Sequence, residues 1–432
     1  MSARRANDTL SGVRELQRTL YRAAKRSPTR RFHALYDKIY RPDVLAQAWK
    51  DVRRNRGAAG IDGQTIAEVE AYGVRRMLDE LQQEIRDEEY RPKPVRRVLI
   101  PKGDGRKRPL GIPTVKDRIV QAAAKRVIEP IFEADFQEFS FGFRPRRSAH
   151  DAVEEIRKTV NAGYNYVVDA DIERYFDSID HDKLMALLGL RVSDRRVLKL
   201  LKAWLRAGVM SEGEVRATTA GTPQGGVVSP VLSNIYLDYL DRMWRRRGGS
   251  RGKMIRYADD FVILCRSEKD AKWAYRFAAG VLGRMGLTLN SEKTQLVGLR
   301  RGAEGFDFLG FHFRKRESYR WRGKWYLQHW PRKKAMKAVR AKVRALTGRS
   351  TLGWSVELLL HRLNPILRGW GNYFRVGNSS AAFSDIDRYV TMRLCMWLSR
   401  KHKRRWSWQR WTSLISKLPL VRLSGTVSWK AA

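Results

Sequence analysis

The sequence predicts antiparallel β-hairpins set among helices, followed by a mostly helical, strongly basic C-terminal module. Three observations carry this. Met254-Ile255 and Phe261-Val262-Ile263-Leu264 are apolar runs flanking Tyr257-Ala258-Asp259-Asp260, the pattern of a tight hairpin with acid at its tip. Two strand-like runs, 94–102 and 106–113, are joined by Gly103-Asp104-Gly105, a turn sequence. Residues 314–350 hold fourteen Lys or Arg against one acid, Glu317, and place Ala335, Val339, Val343 and Leu346 at helical spacing.

Composition narrows the function class. A chain of 432 residues with 43% hydrophobic content is long enough for two or three domains with packed cores. It carries 87 Lys and Arg against 45 Asp and Glu, a net charge of +42. Such a surplus repels itself in a compact fold unless a polyanion neutralises it, so nucleic acid is the expected partner, with salt-sensitive binding. No apolar run is long enough to span a membrane, and no basic amphipathic helix stands isolated at a terminus, so a membrane is not expected. Cys265 and Cys395 lack partners at metal-ligand spacing, and no signal peptide is visible, which suits a reducing, cytoplasmic compartment.

Along the chain, residues 10–48 show helical spacing broken at Ser27-Pro28. The basic stretch 49–63 carries Gly57, Gly60 and Gly63, and reads either as a phosphate-wrapping loop or as a plain connection. Residues 73–89 read as an amphipathic helix, and the 94–113 hairpin bears Lys102, Arg106, Lys107 and Arg108 around its tip. Another helix is expected over 116–133. Ser140-Phe141-Gly142-Phe143-Arg144-Pro145-Arg146-Arg147 mixes aromatics and arginines, suited to stacking on bases and pairing with phosphates. Helices are further expected at 182–207 (two), 231–244, 268–285, 353–363, 365–374 and 384–402, with a short hairpin near 209–219 and another over 306–313. Ten of the fourteen Trp lie beyond residue 320, interleaved with Arg, so a domain boundary is placed near 320–330 and the last module is expected to grip RNA or DNA.

Two places carry acid where charge is costly. Asp259-Asp260 reads as two hard carboxylates for a magnesium ion, or as an ordinary Asp turn. The β-rich run 164–172 brings Asp169 and Asp171 onto one strand face, with Asp177 and Asp180 following. Acid at the end of an apolar strand is expensive without a cation, which favours a metal site, but periodicity does not choose among the four.

The ordered motifs resemble the group II intron-encoded reverse transcriptases, or maturases. The matching stretches are the glycine-bearing 49–66, the basic hairpin 94–120, Ser-Phe-Gly-Phe-Arg-Pro-Arg-Arg-Ser-Ala-His-Asp-Ala from Ser140, Asp-Ala-Asp-Ile-Glu-Arg-Tyr-Phe-Asp-Ser-Ile-Asp-His from Asp169, Gly-Thr-Pro-Gln-Gly-Gly-Val-Val-Ser-Pro from Gly221, Arg-Tyr-Ala-Asp-Asp-Phe from Arg256, Ser-Glu-Lys-Thr from Ser291 and Phe-Leu-Gly-Phe from Phe308. Arg368-Gly369-Trp370-Gly371-Asn372-Tyr373-Phe374, with Leu363-Asn364-Pro365 before it, is similar to the maturase or thumb region, domain X.

The resemblance implies an α+β right-hand polymerase with fingers, a palm of antiparallel sheet and a helical thumb. It implies a basic helical N-terminal extension over 1–48, fingers and palm over 49–320, thumb and domain X over 321–405, and a short basic tail over 406–432 as a DNA-binding remnant. By resemblance Asp171, Asp259 and Asp260 are the catalytic, metal-binding acids, joined in the metal site by Ile172. Asp171 is preferred to Asp169 because Phe176, the expected gate against a ribose 2′-hydroxyl, stands five positions later. The implied cofactors are two Mg2+ ions, with Mn2+ able to substitute. Lys102, Arg108, Phe176, Gln224 and Lys293 are implied to bind the incoming dNTP, with Lys293 a proton donor to pyrophosphate. Arg144, Phe308, Leu309, Gly310, Lys333, Lys334, Lys337, Arg340 and Arg368 are implied to contact primer, template or RNA. Expected partners are group II intron RNA, an RNA template with a DNA or RNA primer, target DNA and dNTPs, in the bacterial cytoplasm. No paired Cys and His follow for the nuclease that many relatives carry, so no endonuclease is expected. Alternatives are a maturase that chiefly binds RNA, or a domesticated relative in defence or repair.

Overall fold

The computed structural model describes residues 2–101, 107–211, 214–216, 221, 225–300, 303–318, 321–404 and 407–428. It opens with helix α1 (Ser2–Arg26), which buries Val13, Leu20 and Ala24. The short α2 (Tyr36–Ile39) leads to α3 (Pro42–Asn55), which starts with proline and stops where Arg56 turns left-handed at φ 47°. Helix α4 (Ile66–Tyr72) begins with a reciprocal capping box between Thr65 and Glu68, and α5 (Val74–Arg86) follows directly. Strands β1 (Val95–Pro101) and β2 (Lys107–Ile112) pair antiparallel as the hairpin pattern requires, from Arg96↔Ile112 to Pro101↔Lys107.

Helix α6 (Val115–Glu133) is almost wholly buried and receives α1 through Gln17 on the Arg126 carbonyl (3.2 Å) and Lys25 on the Ala134 carbonyl (3.0 Å). The loop 56–63 packs at its start: a Cβ at Gly60 would lie 2.6 Å from the Thr114 Cα. Its carbonyls are taken by the protein's own arginines, Ala59 by Arg96 (2.7 Å) and Ala58 by Arg118. Gly60 therefore serves close chain packing, which is the connection reading of that stretch.

Next come α7 (Ala149–Asn161), β3 (Tyr166–Ala170), α8 (His181–Gly189) and α9 (Arg195–Arg206). Asp180 caps α8 by accepting from the Lys183 amide at 2.9 Å, a structural use of that acid. Strands β4 (Val209–Ser211) and β5 (Glu214–Arg216) extend the first hairpin into a sheet of order β2-β1-β4-β5. Helix α10 (Ser229–Arg247) feeds β6 (Gly252–Tyr257) and β7 (Asp260–Cys265), followed by α11 (Glu268–Arg284) and β8 (Gln295–Gly298). The second sheet has the order β6-β7-β3-β8.

The third sheet, β11-β10-β9, is built from β9 (Phe306–Phe308), β10 (Phe311–Glu317) and β11 (Trp325–Pro331). Pairing runs from Phe311↔Pro331 to Glu317↔Trp325, so the boundary expected at 320–330 falls within a hairpin. The Trp-rich strand β11 hid the alternation of buried Leu327 and His329. Helices α12 (Lys333–Leu346), α13 (Val356–Phe374), α14 (Ser380–Lys401) and α15 (Trp408–Ser416) complete the chain. The two helices expected at 353–363 and 365–374 are one, with Pro365 inside it. The segment expected as a tail is tied down instead. Asp387 accepts from the Leu423 amide (3.0 Å) and the Ser424 amide (2.8 Å), and Asn364 accepts from Val421 (2.9 Å).

By compactness the chain divides into two units, residues 1–148 with 170–263 and 269–295, and residues 149–169 with 264–268 and 296–432. In the first, Asp238 on α10 is 3% exposed. One of its oxygens accepts from Arg242 at 2.5 Å, and the other is unpaired. Burial, only partly offset by Arg242, pushes its pKa up to about 7. Between about pH 4 and pH 7 the native state therefore holds a proton that the unfolded chain has released, and stability falls as pH rises. Asp238→Asn should remove this fall. Its stability advantage over wild type should grow by about 2 kcal/mol from pH 5 to pH 8, measured by urea unfolding at both pH values.

Candidate active site

The turn between β6 and β7 is where the acid was expected, and its geometry is set from beneath. Ala258 sits in the left-handed region at φ 58°, an unfavourable conformation for a residue with a Cβ. Arg256, fully buried, donates to the Ala258 carbonyl at 2.9 Å. The same guanidinium donates to Asp241 (2.8 and 3.1 Å through Nε) and to the Asn234 side-chain oxygen (3.1 Å). Burial by itself works against the charge on Arg256, but the Asp241 carboxylate outweighs it and holds the pKa above its ordinary value. Asn234 in turn donates to the Gly142 carbonyl at 2.9 Å. Gly142 lies so close that a Cβ there would stand 2.3 Å from the Ala258 nitrogen. Backbone bonds from Phe141 to Arg256 (2.8 Å) and from Arg256 to Phe139 (2.9 Å) complete the support.

Above this support Asp259 is half-buried and Asp260, the first residue of β7, is exposed. Asp171 follows directly on β3, the neighbour of β7 in the sheet. Its carbonyl accepts from the Asn290 amide at 2.8 Å, and Ile172, buried, bridges to Leu289. Asn290 folds its side chain onto the amides of Glu292 (3.1 Å) and Lys293 (3.2 Å). That local turn sets Lys293, whose ammonium lies 2.7 Å from Asp171 Oδ2. A cation thus already compensates this carboxylate.

Three carboxylates are hard oxygen donors of the kind divalent ions take. Among the described residues no three His, Cys, Asp or Glu side chains are gathered closely enough to enclose an ion. Magnesium is normally held by one or two carboxylates together with substrate phosphates, so the donor set fits without an all-protein cage.

Phe176 is 8% exposed, within a single 3₁₀ turn, Tyr175–Asp177. Tyr175 anchors that turn, its hydroxyl donating to the Ser233 carbonyl at 2.8 Å and its ring meeting Phe176 edge-on at 5.2 Å. The Gly/Pro loop is fastened beside it. Gly221, at φ 90°, donates to Ile179 (2.8 Å), and a Cβ on it would lie 2.9 Å from the Phe176 carbonyl oxygen. At the loop's other end the Val227 amide donates to Gln121 at 2.8 Å. Lys102 and Gln224 lie outside the described residues, as does the side chain of Arg108, whose backbone pairs with Ile100.

Two expected nucleic-acid contacts are corrected. Arg144 is not a surface residue: its side chain is 3% exposed, bonded to Glu133 (2.7 Å) and to the Ser140 carbonyl (2.8 Å), and it organises its own loop. Phe143, Pro145 and Arg146 are exposed in that loop. Phe308 is also buried, at 3% exposure, so its ring belongs to the core. Leu309 and Gly310 form the two-residue turn after it, at φ 47° and 80°, with the Leu309 carbonyl accepting from Tyr373 at 2.9 Å. Lys333, Lys334, Lys337 and Arg368 are exposed, whereas Arg340 is half-buried and paired with Asp385 at 2.5 Å.

The Arg256–Asp241–Asn234 support was missed in the sequence. Its signals were a charge inside the apolar run Met254-Ile255-Arg256 and two polar residues, Asn234 and Asp241, spaced seven apart and so on one face of the preceding helix.

An acid-tipped hairpin beside a strand that runs into a further acid, on a sheet set among helices, defines the palm of a right-hand polymerase, and the fold is α+β. The model of the family reverse transcriptase (RNA-dependent DNA polymerase) matches residues 100–313, and that of the group II intron maturase-specific domain matches residues 336–413. Protein YkfC of Escherichia coli K12 is 37% identical over 350 residues, covering 71% of this chain and 90% of that protein. The group II intron-encoded protein LtrA of Lactococcus lactis is 30% identical over 352 residues, covering 66% of this chain and 57% of LtrA. An uncharacterized 91 kDa protein in the cob intron of Schizosaccharomyces pombe is 42% identical over 165 residues, 38% of this chain and 20% of that one. The chain belongs to the group II intron-encoded reverse transcriptases: it is an RNA-directed DNA polymerase with a maturase domain. Its family uses divalent metal ions, and its substrates are nucleic acids and intron RNA. Among the described residues no helix is long and apolar enough to cross a membrane.

Proposed function

We propose that this protein copies RNA into cDNA at Asp171, Asp259 and Asp260, and that it also helps its group II intron RNA to fold, splice and move into target DNA. The observation that carries the assignment is the turn at Ala258, held by buried Arg256, which presents Asp259 and Asp260 from the strand next to the one that Asp171 follows. With Ile172, these acids would hold two Mg2+ ions, for which Mn2+ would substitute, and that charge would make the primer 3′-hydroxyl a better nucleophile and would neutralise the departing pyrophosphate.

The chain's own residues do the rest. Lys293, already paired with Asp171, protonates the departing pyrophosphate. Lys102 and Arg108 bind the triphosphate, Gln224 lies beneath the nucleotide, and Phe176 excludes the 2′-hydroxyl. The turn at Leu309-Gly310 guides the primer end. Lys333, Lys334, Lys337 and Arg368 bind RNA, joined by Phe143 and Arg146 in place of Arg144. The domain division proposed is the extension 1–48, fingers and palm from 49 through the intact β9–β11 sheet, thumb and domain X from α12 to 405, and a final basic segment that contacts DNA.

Primer extension on an RNA template with dNTPs and magnesium tests the reading. Full-length cDNA is expected, and tight salt-sensitive RNA binding without synthesis would leave a binding-only maturase. In the same assay Phe176→Val should raise ribonucleotide incorporation relative to dNTPs by at least about tenfold, and unchanged selectivity would remove the gate assignment.

A further inference from the structure

The turn that carries Phe176 and the loop that Gly221 opens are joined at one backbone position. Gly221 is buried, and both of its polar backbone groups are bonded to the segment 176–181. Its amide donates to the Ile179 carbonyl at 2.8 Å. Its carbonyl lies 2.6 Å from His181 Nε2. A carbonyl oxygen only accepts, so that ring nitrogen carries a proton and donates it. A Cβ on Gly221 would stand 2.9 Å from the Phe176 carbonyl oxygen and 3.0 Å from the Asp177 Cα, so the loop lies directly against the turn. Of these ties only the one from His181 comes from a side chain, and only it depends on residue type.

His181 is itself held in place. It is the first residue of α8 and is 7% exposed. Asp180 caps that helix through the Lys183 amide, which fixes the backbone that carries the imidazole. On the other side of Phe176, Tyr175 is fastened to α10 through the Ser233 carbonyl at 2.8 Å. The gate residue therefore stands on a short turn tied on both sides, to α10 by Tyr175 and to the loop by His181.

The physical demand for such a tie is specific. Walls that tell a ribose from a deoxyribose reject a single oxygen atom, and their spacing must hold to about 0.5 Å. Without the imidazole donor, the Gly221 carbonyl would be buried and unpaired, which drives the loop to shift toward another donor.

We propose that His181 is a positioning residue for sugar selection. It fixes the Gly221 loop against the Phe176 turn and so sets how closely the two confine the sugar of the incoming nucleotide. It acts through Gly221, not on the nucleotide. The inference rests on the reading of Phe176 as the gate against the 2′-hydroxyl and of the loop as lying beneath the nucleotide.

The test is single-nucleotide primer extension by the full-length protein on an RNA template, with each dNTP and its matching rNTP. His181→Phe keeps a ring and removes the donor. Its KM for dNTP should rise, and its preference for dNTP over rNTP should fall, each by at least about fivefold, with kcat at saturating dNTP within about twofold of wild type. His181→Gln places an amide donor near the position of Nε2 and should recover most of the selectivity. His181→Leu, also without a donor, gives the same reading if His181→Phe fails to fold. Wild-type KM and selectivity in a folded donor-free variant would overturn the proposal. So would selectivity that follows the ring, kept by His181→Phe and lost by His181→Gln, or loss of folding in both donor-free variants, which would mark a purely structural bond. Phe176→Val in the same assay separates the two readings. Unchanged selectivity there overturns the gate on which the proposal rests, whereas altered selectivity there beside wild-type values in folded His181→Phe overturns the role of His181 alone.

Discussion

Replacing Asp259 and Asp260 together by Ala is expected to lower DNA synthesis on an RNA template by more than about a thousandfold, because several kcal/mol of charge stabilisation are removed from the transition state. The fold should survive, since Asp260 is exposed and Asp259 half-buried. The turn itself is held by the Arg256 bond to the Ala258 carbonyl. RNA binding should persist or tighten: losing two acids moves the net charge from +42 to +44 (42 + 2), which favours a polyanion. Primer extension and filter binding over a salt series would read the two functions separately. Loss of both in a protein with unchanged Tm would show that synthesis and RNA binding share these acids.

Arg256→Met carries the second large expectation. The Arg256–Asp241 pair is 0% exposed on both sides. Removing one partner leaves a buried carboxylate uncompensated, a loss of about 3–5 kcal/mol. It also releases the Ala258 carbonyl and removes a bond to Asn234, so the acid-bearing turn loses its support. Synthesis should therefore fall even at temperatures where the variant stays folded. Adding Asp241→Asn to Arg256→Met should recover part of the stability, because no bare charge remains, but not the activity, because the turn stays unsupported. Urea unfolding and primer extension on the single and double variants check this. Full activity in the folded double variant would show that the turn needs no such bond.

The hairpin bearing Asp259-Asp260, the β1–β2 hairpin and most helices were legible from local pattern. Apolar runs of fixed period, turn residues and caps such as Thr65 or Asp180 act within a few residues of themselves. Arginine was harder to read. Arg144 and Arg256 look like surface residues by type, yet Glu133 and Asp241 make their burial affordable, and those partners stand 11 and 15 positions away. Tryptophan was ambiguous in the same manner. Trp397 and Trp411 are core residues, whereas Trp321 and Trp408 are more than half exposed. Pro365 was read as a break, but α13 runs through it.

By itself the sequence determined the class of chemistry: paired acids on a β-turn, an extreme positive charge and an ordered set of motifs that belong to intron-encoded reverse transcriptases. Those features are local or summed over the chain, so they need no fold to be seen. Only the tertiary structure decided what holds the acids in place, which arginines are buried, and that residues 407–428 pack against α13 and α14. These depend on contacts between residues far apart in the chain. A buried charge exists only once such contacts have excluded water.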